Sequence, residues 1–221
     1  MTADISLSTM IGNMSRRIDI MSVILGYKTE DKIYLGADNR TVTLEEVLSR
    51  DNVKKIVAVS DNVAVAFAGY TKTQILFEKL TSKAANKGDF YVEDALRYIK
   101  LIYWLFKLFC HRNIGKEGLT KSSRFIIAGK NRKGKPCLYI ASILNGKLEK
   151  PLLTDRFIFP PSDANAKICW DIYAINALNH HSDFIQRTIK DISKISKLIS
   201  PSGDIWIYDI ASGKSTVQHF S

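Results

Sequence analysis

Little in this sequence points to metal, disulfide or membrane chemistry. There are only three cysteines, Cys110, Cys137 and Cys169, an odd number set far apart in apolar contexts. They read as buried thiols in a reducing compartment, not as a disulfide framework. The four histidines, His111, His180, His181 and His219, show neither zinc-finger spacing nor an HExxH pattern, so no metal or other cofactor is expected. The longest apolar run, Leu101 to Cys110, is interrupted by Lys107 and is about half the ~20 residues that cross a bilayer. The first twenty residues lack the layout of a signal peptide, because Arg16 and Arg17 follow the weakly apolar stretch. A cytoplasmic protein with no membrane contact is expected. No internal repeat, low-complexity linker or second domain is visible.

What is present is an ordinary globular composition, 46% hydrophobic and 24% charged over 221 residues, a length that suits one domain. The formal charge of +10 leaves an acidic partner open. Its basic residues are nevertheless spread along the chain, and the one dense run, Lys130-Asn131-Arg132-Lys133-Gly134-Lys135, suits a solvated hairpin tip. With no zinc finger, aromatic RNA-binding strand or helix-turn-helix spacing, nucleic acid is not expected as a partner.

The element pattern is strongly periodic. Val23–Tyr27 and Ile33–Ala37 form one predicted hairpin, and Lys55–Val59 with Val63–Ala68 a second. These strands are apolar at nearly every position, which predicts a sheet covered on both faces. A helix follows Gly69, with Ile75, Leu76 and Leu80 at helical spacing, and Gly88 closes it. A longer helix spans Asp89 to Cys110, its stripe from Leu96 to Phe109 serving as core or as a subunit contact. Gly115 and Gly118 predict a loop. Strands return at Arg124–Ala128 and Cys137–Ile143, and Asn145-Gly146 is a tight-turn signal. Ser162 or Asp163 is the expected cap of a helix running to about His181, where a His pair suits the helix dipole. A last helix reaches almost to Pro201, before strands at Asp204–Ile210 and Thr216–Gln218. The predicted order is four strands, two helices, several strands, two helices and two strands. That is an α+β, four-layer αββα sandwich of two packed, mainly antiparallel sheets.

One chemical possibility stands at the start of the first strand. With Met21 absent, Ser22 would carry a hydroxyl and a free α-amine on one residue. An α-amine titrates at about 7.7–8.0, so near neutrality it can act as the base for its own hydroxyl. Taken singly, Ser22 is a strand-opening serine, Asp38 a turn residue and Lys55 a solvated lysine.

Ile33–Arg40, Lys54-Lys55-Ile56, Ala64–Gly69 and Thr73–Leu80 resemble proteasome β-type subunits and the bacterial HslV-type peptidase, the N-terminal-nucleophile hydrolases. The close resemblance covers about Ser22 to Leu80. It implies Ser22 as nucleophile, Lys55 as the lysine that lowers its pKa, and Asp38 as the partner holding that lysine charged. Lys55 takes this role if the Thr41–Asn52 connection has one extra residue, and without it Lys54 would; Lys55 is favoured because its spacing to Gly69 then agrees with the family. The Gly69 N–H would be the oxyanion donor, and Thr41, Val53, Phe67 and Thr71 would line the pocket for the side chain before the scissile bond. The resemblance further implies a homo-oligomeric ring, polypeptide substrates and an ATP-dependent unfoldase partner.

Three departures accompany it. Serine stands for threonine and loses the methyl that restrains χ1. Phe159-Pro160-Pro161-Ser162-Asp163 stands where the family has a Gly/Ser-rich supporting loop, and Lys197–Gly203 has no aspartate, leaving only Ser202 for a supporting role. The domain expectation is a leader or mis-assigned start over 1–21 and one proteasome-like domain over 22–221. Met21-Ser22 suits initiation at Met21 followed by its removal. Two functions follow: a ring-enclosed peptidase, or a silent subunit that keeps its leader.

Overall fold

The computed structural model describes residues 22–43, 46–50, 53–85, 89–179 and 183–221. The leader 1–21, the Gly88 helix stop and the His180–His181 helix end lie outside the described residues.

The first hairpin is β1 (Ile24–Lys28) and β2 (Lys32–Asp38), antiparallel with Ile24 opposite Ala37. Thr29 closes its turn, donating its N–H to the Lys32 carbonyl at 2.8 Å and accepting the Lys32 N–H on Oγ1 at 2.9 Å. A short extra hairpin follows, β3 (Thr41–Thr43) and β4 (Glu46–Arg50), so six strands precede the helices where the sequence predicts four. Next come β5 (Ile56–Ser60), β6 (Val63–Gly69) and the helices α1 (Thr71–Ala85), α2 (Val92–Leu108) and α3 (Asn113–Thr120). The second strand group is β7 (Ser123–Lys130), β8 (Pro136–Leu144), β9 (Lys147–Leu148), β10 (Leu152–Thr154) and β11 (Arg156–Phe159). Helices α4 (Ala166–Leu178) and α5 (Phe184–Ser193) lead to β12 (Gly203–Asp209) and β13 (Lys214–Phe220).

Two antiparallel sheets result, ordered β11-β1-β2-β12-β13 and β10-β8-β7-β6-β5. Alternation along each strand sends side chains to two different layers. In β6, Ala64, Ala66 and Ala68 face the opposite sheet with Ile24, Leu35, Ile126 and Trp206, while Val63, Val65 and Phe67 face α1 and α2. Val23 and Leu25 likewise turn to α4 and α5, meeting Tyr173, Ile185 and Ile189. Both faces of each sheet are covered, as the continuous apolar runs predict, and the architecture is the expected αββα sandwich.

Several details differ from the sequence expectation. Gly115 and Gly118 lie inside α3, not in a loop: both are buried, and a side chain at Gly118 would strike the Phe106 ring, so these glycines permit close helix packing. Helix α4 is capped by Asn165, whose Oδ1 accepts the N–H groups of Lys167 and Ile168, and not by Ser162 or Asp163. Asp163 instead takes the Ser196 hydroxyl at 2.6 Å and the Lys197 N–H at 3.0 Å. Helix α5 stops at Ser193, well short of Pro201, because the following segment is diverted into those bonds. The Leu96–Phe109 stripe is largely core through Ile99, Ile102 and Phe106, while Leu101, Trp104 and Leu108 on the other face of α2 are exposed. The Asn145-Gly146 turn is as predicted, both residues at positive φ.

Cys137 and Cys169 are buried, and burial pushes each thiol up to about 11. Cys110, expected to be buried, is exposed because α2 ends two residues before it. Iodoacetamide at pH 8 is therefore expected to alkylate Cys110 alone in the folded protein and all three thiols in denaturant. Intact mass reads the count, and early modification of Cys137 would contradict this packing.

Candidate active site

The end of the sandwich where β2 and β6 stop, and where β1 and β5 start, gathers the polar residues that the core excludes. Asp38 closes β2 with no exposed surface, and the Lys55 side chain, just before β5, is 5% exposed. Lys55 Nζ donates to Asp38 Oδ1 at 2.8 Å and also to the Arg40 carbonyl. Asp38 Oδ1 accepts the Val23 N–H at 2.9 Å, and Oδ2 accepts the Arg40 N–H at 3.0 Å and a longer Ser200 N–H at 3.5 Å. Burial pushes the Asp38 carboxyl up, against the pull of the Lys55 ammonium and the Val23 and Arg40 N–H groups. A buried charge of either sign needs a compensating partner, and each supplies the other's.

Ser22 is buried, 7% exposed, and directly precedes Val23. Asp38 thus grips the backbone one residue from the Ser22 hydroxyl while holding Lys55 with the same oxygen. Gly69 ends β6 at φ +99°, and a Cβ there would collide with the Ser122 carbonyl oxygen. The Phe67 N–H donates to the Lys55 carbonyl at 2.9 Å, and the Tyr70 N–H donates to Ser122 on the other side at 2.9 Å. Strand alternation therefore turns the Gly69 N–H toward the Lys55 edge.

The four pocket residues are placed unequally. Thr41 opens β3 and is half-buried; Val53 is half-buried, with its N–H on the Asn39 carbonyl at 2.9 Å; Thr71 opens α1 and is exposed. Phe67 belongs to the layer beneath α1, its ring centroid 5.2 Å from Phe77 and 5.5 Å from Phe125. Of the supporting segments, Pro160 and Pro161 are buried and Ser162 is exposed. The Ser200 and Ser202 hydroxyls are 2.7 Å apart, and the Asn39 N–H donates to the Ser202 carbonyl at 3.2 Å.

Sequence reasoning overlooked the parts played by Arg40 and Ser200. Both act on the Asp38–Lys55 pair through backbone groups, which no side-chain motif encodes. Among the described residues, no group of three or more His, Cys, Asp or Glu could hold a metal ion, and no helix is long and apolar enough to cross a membrane.

Two antiparallel sheets between helix layers make this the sandwich of the N-terminal-nucleophile hydrolases. A family model described as proteasome subunit matches residues 21–148, more than half of the 221 residues and a span that includes Ser22, Asp38, Lys55 and Gly69. The chain belongs to the proteasome subunit family. No curated protein matches it significantly.

Proposed function

We propose that this chain is a peptidase that hydrolyses polypeptides from Ser22, after removal or non-synthesis of residues 1–21. The observation carrying this reading is the buried Lys55–Asp38 pair, whose carboxylate also holds the backbone one residue from Ser22. In the reaction, Ser22 Oγ attacks the scissile carbonyl carbon as its proton passes to the Ser22 α-amine. The Gly69 N–H donates to the oxygen that becomes negative. The C–N bond then breaks, the departing amine takes the proton, and water hydrolyses the serine ester to restore the hydroxyl. Lys55 favours the deprotonated oxygen by its charge. Thr41, Val53, Phe67 and Thr71 border the pocket for the side chain before the cleaved bond. The working assembly is a cytoplasmic homo-oligomeric ring fed by an ATP-dependent unfoldase.

The specific observation favouring a silent subunit is the supporting segment, where two buried prolines replace a Gly/Ser-rich loop and lack N–H groups to offer. Incubation with a peptidyl epoxyketone or β-lactone separates the two readings. An adduct on Ser22 in a protein lacking residues 1–21 is the expected mass. An unmodified chain that keeps its leader would reject the peptidase.

A further inference from the structure

Strand β7 sends Arg124 to the face that looks toward the first sheet, the face it shares with Ile126 and Ala128. Arg124 is 4% exposed, and among the described residues neither its Nε nor its Nη1 has a hydrogen-bond partner. The guanidinium carbon lies 5.0 Å from the Phe159 ring centroid. A desolvated cation–π contact offsets only part of the free energy needed to withdraw the ion from water. Burial lowers its pKa to about 10, against the opposing charge of Glu149, so it remains charged at neutral pH.

Register locates this charge. Arg124 pairs across its sheet with Ala68, the residue before Gly69. Phe159 pairs across the other sheet with Ile24, two residues after Ser22. Gly26 sits over Ile126, where a Cβ would come 2.8 Å from Ile126 Cγ2. One inward-facing step back along both strands brings Ile24 and Phe159 to Arg124, and the next step on β1 is Ser22.

We propose that Arg124 is a positioning residue for Ser22: a buried cation behind the nucleophile, its Nε and Nη1 without hydrogen bonds among the described residues, that keeps the Ser22 α-amine unprotonated and able to take the hydroxyl proton. This rests on the N-terminal-nucleophile reading above. A like charge in a low-dielectric layer disfavours the ammonium form. Among the described residues, other charges at this end are already engaged. Asp38 holds Lys55; the Arg40 guanidinium donates to the Lys197 and Ile199 carbonyls; Asp163 holds Ser196 and the Lys197 N–H; Asp204 holds His219. Lys54 is exposed and Glu149 acts on Arg124 itself.

The test uses a chain beginning at Ser22, which carries every described strand and all three described core clusters, with its folding checked by thermal melting. In that protein the α-amine is labelled by reductive methylation with ¹³C-formaldehyde and titrated by NMR, in wild type and in Arg124→Met, Arg124→Gln and Arg124→Lys. The wild-type and Lys proteins are expected to titrate together, with the Met and Gln proteins about one unit higher, a tenfold change in the ratio of protonated to unprotonated amine. The Met protein should melt no lower than wild type, since it removes an unsatisfied buried charge. Equal titration in all four proteins overturns the inference, as does loss of stability with unchanged titration. A shifted titration without any epoxyketone adduct would uphold this role of Arg124 while rejecting the peptidase.

Discussion

Lys55→Ala is expected to abolish adduct formation at Ser22 and to cost roughly 3–5 kcal/mol of stability, the usual effect of stranding one member of a buried ion pair. The stranded group is Asp38, which is wholly buried and has no other cation within ion-pair distance among the described residues. The stability loss by itself would not distinguish a structural lysine from a catalytic one. The double substitution Asp38→Asn with Lys55→Met makes that distinction. Exchanging a buried pair for neutral groups of similar size is close to neutral for folding, so urea denaturation should show most of the loss recovered. The Asn side chain can still accept the Val23 N–H, which preserves the start of β1. Reactivity at Ser22 should stay absent, because the ammonium proposed to favour the deprotonated hydroxyl is gone. Wild-type labelling by Lys55→Ala would reject the assigned roles outright.

A comparable contrast separates Gly69 from Gly129. Both have positive φ, +99° and +145°, and a Cβ at either would collide with a carbonyl oxygen, of Ser122 at Gly69 and of Asn62 at Gly129. Each change to alanine should cost at least about 1–3 kcal/mol, the typical cost of a side chain forced into that conformation. They sit at opposite ends of the β6–β7 ladder, since Gly69 pairs with Ser123 and Gly129 with Val63. Gly69→Ala displaces the N–H proposed to face the oxyanion, and the rate of Ser22 acylation is expected to fall by a factor of ~100 or more, as for loss of one oxyanion donor. Gly129→Ala should lower the melting temperature to a similar extent and leave acylation of the folded fraction unchanged. Equal acylation losses in the two variants would show that the effect is general loosening and not the N–H.

Legibility of the fold followed the range of the forces involved. β1, β2, β5 and β6 announce themselves because nearly every position is apolar, and such runs are stable only with both faces covered. The β3–β4 hairpin was missed, as its threonine- and glutamate-containing stretch has no such pattern. Gly115 and Gly118 mislead for a related reason: a glycine that breaks a helix and one that lets a helix approach Phe106 look identical until the neighbour is known. The end of α5 is set by Asp163, more than thirty residues earlier, and helical periodicity continues past it.

For the site, local chemistry and tertiary contact divide cleanly. Ser22, Asp38, Lys55 and Gly69 were nameable from residue type and order, through the resemblance they carry. By itself the sequence determined the alternation of layers, the turn at Asn145-Gly146, and which residues were available to react. Only the tertiary structure decided that Lys55 is buried with Asp38 and not solvated, that Ser200, 162 residues away, donates to the same carboxylate, and that the Arg124 Nε and Nη1 are buried without hydrogen-bond partners among the described residues. The reason is physical: hydrophobic periodicity is written between near neighbours, whereas the energy of a charge depends on which distant segments remove it from water and what they set beside it.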